Sequence, residues 1–474
     1  MKKNTILENI LVEKLVFGGK GFARLKSDNK DIDGKAIFIT GGVIPQSVVN
    51  LRVLKSRSDF IEAQLLDVVK KSPIEKENKN NIYGMQAGIP WINIPYEEQL
   101  KIKENQIKES LFHISKLQNN LEISPIVPSG LIDNYRNKIE FSFGKFISKN
   151  QNKEEHFNLG FHKQGEFSKI EDFDGTILIS KLANDIYKEI KEFAKASGYP
   201  VYDQFDQKGF FRHIVLREGF FTKQIMIIFS VNHKYEGVKN LDFIYDFLNN
   251  LVKKYPQITS IYLSLNDNKA DIAIGELELI YGKNFIEEKL LDLTFNISPK
   301  SFFQTNSFQA EVLYKEVLNQ VGDELKDFNK VLDLYGGTGT IGMVFAKHVK
   351  EVISVELIES ASKDGELNAL KNNLTNISFV NKKVEDFLKS YLENNQNCDL
   401  LIIDPPRTGI HPDALRDILK FDSRYIIYVS CNPATLSRDL AYILKESEYK
   451  IKKITPVDMF PHTHHIETIV LLGK

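Results

Sequence analysis

The sequence predicts a multidomain protein with an N-terminal OB-like β-barrel, a central α+β domain and a C-terminal α/β domain on a seven-stranded, mainly parallel sheet. Three observations predict this organisation. Short β-rich runs separated by Gly-rich or acidic turns occupy about the first 70 residues, residues 131–285 mix strands with a few helices, and from about residue 330 apolar strands alternate with helix-length segments. We therefore expect domains at residues 1–72, 73–290 and 291–474.

Composition narrows the class of protein further. With 474 residues, of which 42% are hydrophobic, the chain can bury several cores. A net charge of −1 excludes a protein that coats nucleic acid by bulk charge, and two cysteines exclude a disulfide framework or a four-thiolate metal site. No signal-like apolar core follows Met1, and no apolar run reaches the roughly 18 residues of a membrane span. We expect a cytoplasmic protein with no membrane association and no evident obligate protein partner.

The N-terminal barrel carries a turn that could bind RNA. In VFGGKGFARL, three glycines permit close backbone approach, and Lys20, Phe22 and Arg24 could contact phosphate and base. The first 70 residues hold 12 Lys plus Arg against 8 Asp plus Glu, which makes the barrel mildly basic. An ordinary hairpin turn explains the same residues, so both interpretations stay open.

The polar stretch 72–81 reads as a linker between the barrel and the central domain. After it, apolar residues at three- and four-residue spacings predict an amphipathic helix over about 97–120, namely Leu100, Ile107, Leu111, Ile114 and Leu117. In the central domain, YRNKIEFSFGKF and GFFRHIVLREG interleave basic and aromatic residues. Contact with RNA and plain strand alternation explain that pattern equally well.

The C-terminal domain shows seven candidate strands: KVLDLY, EVISVE, ISFVN, CDLLIID, YIIYVSC, ITPVDMF and TIVLLGK. The first five, joined by helix-length connections, predict a parallel sheet with helices on both faces, and the short link between the last two predicts an antiparallel hairpin at its edge. Ligands of such sheets bind at the carboxyl ends of the strands.

A glycine-rich turn follows the first of these strands. DLYGGTGTIG, residues 333–342, lets the backbone approach a ligand, and Glu356 ends the next strand, where a carboxylate can hold two ribose hydroxyls. The pattern predicts a nucleoside-containing cofactor. Because the full G-x-G-x-x-G pattern is missing and a hairpin ends the sheet, S-adenosylmethionine is favoured over a dinucleotide.

A second motif, DPPRTG at residues 404–409, follows the fourth strand. Asp404 would lie beside the cofactor, and the two prolines would stiffen the backbone around a flat substrate ring. Where amino-methylating enzymes usually carry an aromatic residue, this chain has Arg407, which disfavours attack by an exocyclic amine.

Cys431 ends the fifth strand, immediately before Asn432 and Pro433. Carbon 5 of uracil is a poor nucleophile, and a thiolate that adds to carbon 6 converts the ring to an enolate able to accept a methyl group. A thiol is only slightly ionised at neutral pH, so the site should lower the thiol pKa or remove the proton as attack begins. The proton on carbon 5 must then leave to a base, and Glu467 stands just before the last strand. Taken singly, Cys431 could be a core thiol and Glu467 a solvated acid.

Two other groups of residues have simpler explanations. His462, His464 and His465 invite a metal site, but no cysteine or carboxylate accompanies them at a metal-binding spacing. Cys398 begins an apolar strand and is expected to pack in a core. We therefore expect no metal.

Five segments together resemble the RNA (uracil-5-)methyltransferase family: SFFQTN (301–306), VLDLYGGTGTIG (331–342), DPPRTG (404–409), SCNPATLSRDL (430–440) and DMFPHTHHIET (458–468). The resemblance covers essentially the whole chain. It implies that the barrel is a TRAM domain, that the C-terminal domain is a Rossmann-like class I methyltransferase domain, and that the helix near residues 97–120 packs on that domain. The presence of the barrel points to the bacterial 23S ribosomal RNA subgroup, because the tRNA branch usually lacks it.

The resemblance also assigns roles to single residues. It implies Cys431 as nucleophile, Glu467 as proton acceptor, and four residues that bind S-adenosylmethionine, namely Gln304, Tyr335, Glu356 and Asp404. Many relatives hold an iron–sulfur cluster on four cysteines, but this chain has Asn80, Gln86 and Ile89 at three of those positions. Two thiols cannot ligate such a cluster, so none is expected.

The sequence thus predicts an enzyme that methylates carbon 5 of a uridine in structured RNA, in 23S rRNA before other targets. Two alternatives stay open: a tRNA T-loop uracil methyltransferase, and a non-catalytic RNA-binding factor of ribosome assembly that keeps the cofactor fold. The pair Cys431 and Glu467 disfavours the second.

Overall fold

The computed structural model describes residues 1–28, 32–76, 88–115, 121–147, 155–163, 166–394, 397–421 and 423–474. In this part of the chain, no helix is both long and apolar enough to cross a membrane. Asn80 and Gln86 lie outside the described residues, as does much of the predicted linker, whereas Ile89 is fully buried in the core of the central domain.

The N-terminal residues form a six-stranded sheet in the order β1-β5-β6-β4-β3-β2. Its strands are β1 (Ile6–Leu11), β2 (Lys14–Leu15), β3 (Gly21–Arg24), β4 (Ala36–Thr40), β5 (Val48–Ser56) and β6 (Phe60–Lys70). Because only two residues separate β1 from β2, the two ends of the sheet meet. One face encloses a core that includes Val12, Ile39 and Val53, and the described residues up to 76 contain no helix.

Helix α1 (Tyr96–Ser115) confirms the predicted helix within the described residues, since residues 116–120 lie outside them. The predicted apolar stripe is only partly correct. Ile107 and Leu111 are buried, but Ile114 is 44% exposed. The buried face is completed by polar residues, Gln99, Lys103 and Gln106, whose partners lie in distant parts of the chain.

The central domain is a seven-stranded sheet in the order β13-β12-β11-β10-β7-β8-β9, in which all pairs are antiparallel except β11–β12. Its strands are β7 (Lys138–Ile147), β8 (Glu155–Lys163), β9 (Glu166–Asp172), β10 (Phe211–Glu218), β11 (Ile225–Val231), β12 (Ile258–Leu265) and β13 (Glu276–Gly282). Helices α2 (Lys181–Ala196) and α3 (Asp242–Lys254) cover one face. Ser180 begins α2 by accepting a hydrogen bond from the amide of Ala183.

A hairpin of β14 (Ile286–Leu290) and β15 (Leu293–Ile297) follows, so the boundary expected at residue 290 falls in a tight turn. The hairpin packs in one core with Val215 of the central sheet and Val331 of the C-terminal sheet. The central and C-terminal domains therefore share a continuous apolar core rather than a flexible junction.

The C-terminal sheet has seven strands in the order β18-β17-β16-β19-β20-β22-β21. They are β16 (Lys330–Leu334), β17 (Glu351–Glu356), β18 (Ile377–Asn381), β19 (Leu400–Ile403), β20 (Tyr425–Ser430), β21 (Lys450–Val457) and β22 (Glu467–Gly473). The first five are parallel and the last two form an antiparallel hairpin that adds to β20 through β22. All seven correspond to the segments identified in the sequence.

Helices flank this sheet on both faces, as α4 (Ser307–Asn319), α5 (Thr340–Ala346), α6 (Glu359–Lys371), α7 (Val384–Glu393), α8 (Pro412–Ile418) and α9 (Pro433–Glu446), with a 3-10 helix at Gly322–Asp327. Helix α1 packs against α9, although more than 300 residues separate them in the sequence. Ile107 and Leu111 of α1 belong to the same core as Leu436 and Leu440 of α9.

Candidate active site

The motif residues gather at the carboxyl edge of the C-terminal sheet. Four adjacent strands end there, in the order β17, β16, β19 and β20. Glu356 is the last residue of β17, and the residues directly after the other three strands are Tyr335, Asp404 and Cys431. A parallel sheet brings the carboxyl ends of its strands to one edge, where open α/β folds bind ligands.

The loop after β16 has a backbone that few residues adopt. Tyr335, Gly337 and Gly339 all have positive φ, at 62°, 58° and 69°. A Cβ added to Gly339 would lie 2.4 Å from Cε1 of Phe379, so only glycine fits there. At Gly337 nothing lies within 4 Å of an added Cβ, so the loop has open space on that side. A non-glycine residue at positive φ, such as Tyr335, is typical of functional sites.

Glu356 supports this loop directly. Its Oε2 accepts a hydrogen bond of 2.9 Å from the amide of Gly337, and its Oε1 accepts one of 2.8 Å from the amide of Ile358. Each carboxylate oxygen has a second lone pair. Glu356 can therefore hold the loop and still accept hydrogen bonds from a ligand.

Asp333, inside strand β16, was not singled out by the sequence reasoning. Its Oδ2 accepts hydrogen bonds from Ser354 Oγ and the amide of Gly342, and its Oδ1 has no hydrogen-bond partner among the described residues. Burial raises the pKa of Asp333 to about 7. In the sequence, an acidic residue inside an otherwise apolar strand is the feature that could have identified Asp333 as a site residue.

Asp404 lies at the end of the neighbouring strand β19. Burial raises its pKa to about 7, and the charge of Asp333 acts in the same direction. Near pH 7 each of the two carboxyl groups is therefore partly protonated and partly ionised, and ionisation of one disfavours ionisation of the other. Such perturbed acids in one cleft are typical of functional sites.

Cys431 follows Ser430, which pairs with Thr468 of β22 in the antiparallel ladder. Glu467 precedes Thr468 in β22, so Cys431 and Glu467 both adjoin this last pair of the ladder. Burial, with the charges of Glu467 and Asp404, raises the pKa of the Cys431 thiol to about 11, and Arg407 acts in the opposite direction. The alternative that the site lowers the thiol pKa is therefore wrong for the protein alone.

Glu467 is buried, and burial raises its pKa well above the ordinary value. The charge of Asp404 acts in the same direction, and Arg407 opposes both. The four side chains Cys431, Glu467, Asp404 and Arg407 thus form one electrostatic group. Arg407 was noted in the sequence only as a departure from amino-methylating motifs, and it is the cation of this group.

The two motif loops that carry Asp404 and Cys431 are joined by hydrogen bonds. Asn432 Nδ2 and the hydroxyl of Thr435 donate to the carbonyl oxygen of Arg407. Asn432 also begins α9 by accepting from the amide of Ala434, with Pro433 in the first turn. The segment SCNPATLSRDL therefore positions Arg407 as well as Cys431.

Gln304 precedes α4 by three residues, and its carbonyl oxygen accepts a hydrogen bond from Nδ2 of Asn137. Asn306, which the sequence reasoning missed, is fully buried; it begins α4 and donates through Nδ2 to the carbonyl oxygen of Met459. Tyr314 of α4 bonds to Thr340 of the glycine-rich loop. The segment SFFQTN is thus tied to the loop before Glu467, and the helix α4 that follows it is tied to the glycine-rich segment.

The histidines of DMFPHTHHIET have structural surroundings. The amide of His462 donates to Gln99 Oε1, and its Nδ1 lies 3.0 Å from Gln99 Nε2. Burial, together with nearby positive charge, lowers the pKa of His464 to about 4 and that of His465 to about 3, so these rings are neutral at pH 7. Among the described residues, no group of three or more His, Cys, Asp or Glu is arranged to hold a metal ion. Cys398 packs in the core of the C-terminal domain, and burial raises its thiol pKa to about 12.

Comparisons with known proteins agree with this geometry. The family model described as tRNA (Uracil-5-)-methyltransferase matches residues 275–474. An uncharacterized RNA methyltransferase of Fusobacterium nucleatum is 35% identical over 100% of this chain and 97% of its own length, and one of Clostridium acetobutylicum is 35% identical over 100% and 99%.

Among solved structures, the Pyrococcus abyssi tRNA (uracil-54, C5)-methyltransferase in complex with S-adenosyl-L-homocysteine is similar at a TM-score of 0.74 with 28% identity. The match covers 98% of this chain and 100% of that one, so it includes the N-terminal sheet as well as the catalytic domain. By its full-length relatives the chain belongs to the RNA methyltransferases, and its residues 275–474 are similar to the uracil-5 branch.

Proposed function

We propose that this chain methylates carbon 5 of a uridine in 23S ribosomal RNA through a transient bond between Cys431 and carbon 6. The observation that carries the proposal is that the charges of Glu467 and Asp404 act on the Cys431 thiol, at the same sheet edge as the glycine-rich loop. A nucleophile facing a base next to a cofactor loop is the arrangement that this reaction needs.

S-adenosylmethionine is the cofactor, and the residues at the sheet edge fit it. Glu356 retains lone pairs, Asp333 has an oxygen without a partner among the described residues, and the loop is open at Gly337. Tyr335, Glu356, Asp404 and Gln304 would hold the cofactor. When bound, it supplies an electrophilic methyl group on a sulfonium centre.

Cys431 acts first. Its sulfur adds to carbon 6 of the uracil, and the electron pair of the 5,6 double bond moves to form the enolate whose carbon 5 takes the methyl group. Because the thiol pKa is about 11, the thiol proton must leave as the carbon–sulfur bond forms, and an ionised Asp404, one of the two carboxyl groups whose charges act on the thiol, takes it. Glu467 thereby stays ionised for the last step.

Glu467 acts last. Carbon 5 of the adduct carries a proton as well as the new methyl group, and an ionised Glu467 takes that proton. The electron pair of the broken C–H bond re-forms the 5,6 double bond and the sulfur leaves carbon 6, which yields 5-methyluridine and regenerates Cys431. The uridine must first be extruded from its stack, which costs a few kcal/mol and least in a loop.

A second candidate target is the T-loop uridine of tRNA. The Pyrococcus abyssi structure, whose match spans the N-terminal sheet, is of a tRNA (uracil-54, C5)-methyltransferase. An N-terminal sheet of this kind is therefore compatible with tRNA, which weakens the argument for ribosomal RNA from the barrel alone.

The deciding experiment incubates the protein with methyl-labelled S-adenosylmethionine and, separately, unmodified 23S rRNA and tRNA transcripts. We expect label in 23S rRNA. Label in tRNA alone would replace the ribosomal target by the second candidate, and no label in either pool would favour the non-catalytic assembly factor.

The covalent step is tested with RNA containing 5-fluorouridine, whose fluorine cannot leave as a proton. We expect a protein–RNA adduct that survives denaturation, is lost in Cys431→Ala and persists in the matched control Cys398→Ala, which removes the other cysteine. An adduct that survives Cys431→Ala would exclude Cys431 as the nucleophile.

A further inference from the structure

A cavity lies in the central domain, away from the sheet edge just described. Strands β7, β8 and β10 form its floor, and residues 202–205 with Asp271 form its walls. Its interior measures about 40 Å³, which is enough for a small polar group of a ligand whose remainder lies at the rim. None of the roles discussed above uses it.

Four polar side chains from four separate elements meet in this cavity. Asp271 contacts both histidines, with Oδ2 at 2.8 Å from His162 Nε2 and Oδ1 at 3.3 Å from His213 Nε2. Ser142 Oγ lies 3.1 Å from His162 Nε2 and 3.2 Å from His213 Nδ1. Although burial would raise the pKa of Asp271, hydrogen bonds from His162 and His213 hold it well below its ordinary value. The cavity therefore contains an ionised carboxylate fixed in position.

An aromatic residue stands at the rim. The side chain of Phe205 is 81% exposed, which leaves its ring free to stack on a ligand. Its loop is fixed, because Asp203 Oδ1 accepts hydrogen bonds from the amides of Phe205 and Asp206. An exposed, pre-positioned ring beside a polar cavity is the arrangement that binds unstacked nucleobases.

The wall behind Phe205 is rigid. Arg212 stacks on the ring of Tyr202, with its guanidinium carbon 4.1 Å from the ring centroid. The same guanidinium donates hydrogen bonds to the carbonyl oxygens of Asn266, Asn268 and Ala270, which hold the loop that carries Asp271. The cavity is thus built before any ligand arrives.

The cavity opens on the face of the central sheet that meets the catalytic domain. Side chains two residues apart on a strand point to one face, so His213, Val215 and Arg217 share it. Val215 packs in the core common to both domains, and Arg217 donates to the carbonyl oxygen of Ser301, the first residue of SFFQTN. At about 3.3 Å per residue, His213 lies roughly 13 Å along the strand from Arg217.

We propose that this cavity binds one nucleobase of the substrate RNA, from a nucleotide near the methylated uridine, and that this base carries an exocyclic amino group. The ring of Phe205 stacks on the base, and the remaining lone pairs of Asp271 accept from the amino group. An ionised carboxylate repels phosphate. An exocyclic amino group offers it two N–H donors, whereas uracil offers only N3–H, which lies between two carbonyl oxygens that the carboxylate repels, so Asp271 favours adenine, cytosine or guanine over uracil. This inference rests on the proposed function, because it requires an RNA substrate.

The first test compares variants of the exposed ring in the full chain. We expect Phe205→Ala to raise the KM for the methylated RNA and the Kd for the same RNA by about 10-fold or more, since base–aromatic stacking is worth that much. At saturating RNA, kcat should change by less than about twofold, and Phe205→Tyr should restore both constants. The matched control is Tyr281→Ala, which removes an exposed ring on the edge strand β13.

The second test identifies the occupant. Phe205 is replaced by the photoreactive p-benzoylphenylalanine, the protein is irradiated with unmodified 23S rRNA or tRNA transcripts, and the cross-linked nucleotide is mapped by reverse transcription. We expect one dominant adenine, cytosine or guanine, weakened by Asp271→Asn.

The outcomes separate the two proposals. Unchanged KM and Kd in Phe205→Ala, cross-links to uracil, or cross-links only to protein would each overturn the cavity proposal, whatever the methylation result. A cross-link to an amino-bearing base in an RNA that takes no label would support the cavity and reject the proposed function.

Discussion

Cys431 lies among groups that disfavour its thiolate, although the proposed reaction needs that form. Burial comes first among the causes, followed by the charges of Glu467 and Asp404. The thiol is therefore protonated in the resting protein near neutral pH, and it becomes nucleophilic only when its proton can pass to a neighbouring carboxyl group.

This balance of charges can be measured on the thiol itself. In a Cys398→Ala background, Cys431 is the only thiol, and the pH dependence of its alkylation by iodoacetamide reports its pKa. Asp404→Asn removes a negative charge and should lower that pKa by about one unit.

The opposite change supplies the control. Arg407→Gln removes the cation that lowers the pKa and should raise it, so the two variants should shift the profile in opposite directions. Shifts of the same sign would show that altered burial, and not charge, controls the thiol.

Glu467 can be tested through the intermediate that it resolves. In Glu467→Gln, Cys431 can still add to uracil, but no carboxylate takes the proton from carbon 5. Turnover should fall by about 10²- to 10⁴-fold, the usual contribution of a general base.

The diagnostic readout is a denaturation-resistant complex with ordinary uridine-containing RNA, which should accumulate in Glu467→Gln and not in Glu467→Gln combined with Cys431→Ala. A slow variant with no trapped complex would mean that Glu467 acts before the adduct forms.

At the scale of elements, helix α1 holds the loop that precedes Glu467. Lys103 Nζ lies 2.6 Å from Asp458 Oδ1, both side chains are fully buried, and the hydroxyl of Tyr96 donates to the other carboxylate oxygen. The side-chain amide of Gln99 bonds to both the backbone amide and the imidazole Nδ1 of His462. A helix from the early part of the sequence thus fixes the position of a loop more than 350 residues later.

The buried ion pair gives a prediction on stability. Lys103→Met leaves Asp458 buried without its cation and should lower the free energy of unfolding by about 3–5 kcal/mol, as measured in urea. The double variant Lys103→Met with Asp458→Asn removes the unpaired charge and should recover a large part of the loss. Equal destabilisation of the single and double variants would contradict this explanation.

At the scale of the whole molecule, the N-terminal sheet contacts the loop that precedes Glu467. Two residues of its glycine-rich turn lie against His464 of that loop. A Cβ added to Gly19 would lie 3.2 Å from Nδ1 of His464, and the ring centroid of Phe17 lies 6.4 Å from that of the same imidazole. The glycine-rich turn noted in the sequence therefore contacts the catalytic domain. Its RNA contacts stay a prediction.

The buried acids also make global stability depend on pH. Asp333 and Asp404 have folded-state pKa values of about 7, against an ordinary value of 3.8. A raised folded pKa means that the folded chain binds more protons, so this stabilisation is complete below about pH 4 and is lost as pH rises through about 7.

Asp404→Asn removes one such group. We expect it to raise the free energy of unfolding at pH 8 by at least about 1 kcal/mol, since one pKa unit corresponds to about 1.4 kcal/mol, and to change it little at pH 4. Urea unfolding at both pH values checks this. An equal effect at pH 4 and pH 8 would show that the substitution acts through packing.

The local part of the fold could be predicted from the sequence. The seven C-terminal strands, the terminal hairpin and helix α1 follow from hydrophobic periodicity and short connections, which are properties of neighbouring residues. The stripe of α1 failed at Ile114, and Lys103 was missed, because a buried polar residue reveals itself only through a partner elsewhere in the chain.

The sequence by itself determined which residues end each strand of the C-terminal sheet, and hence that Tyr335, Glu356, Asp404 and Cys431 share one edge. Only the tertiary structure decided the pKa of Cys431 and the effect of Arg407 on it. It also decided the contacts of α1 with the loop before Glu467 and the cavity around Asp271. The physical reason is that the burial and the electrostatic surroundings of a side chain depend on groups brought together from distant segments, whereas the end of a strand depends on consecutive residues.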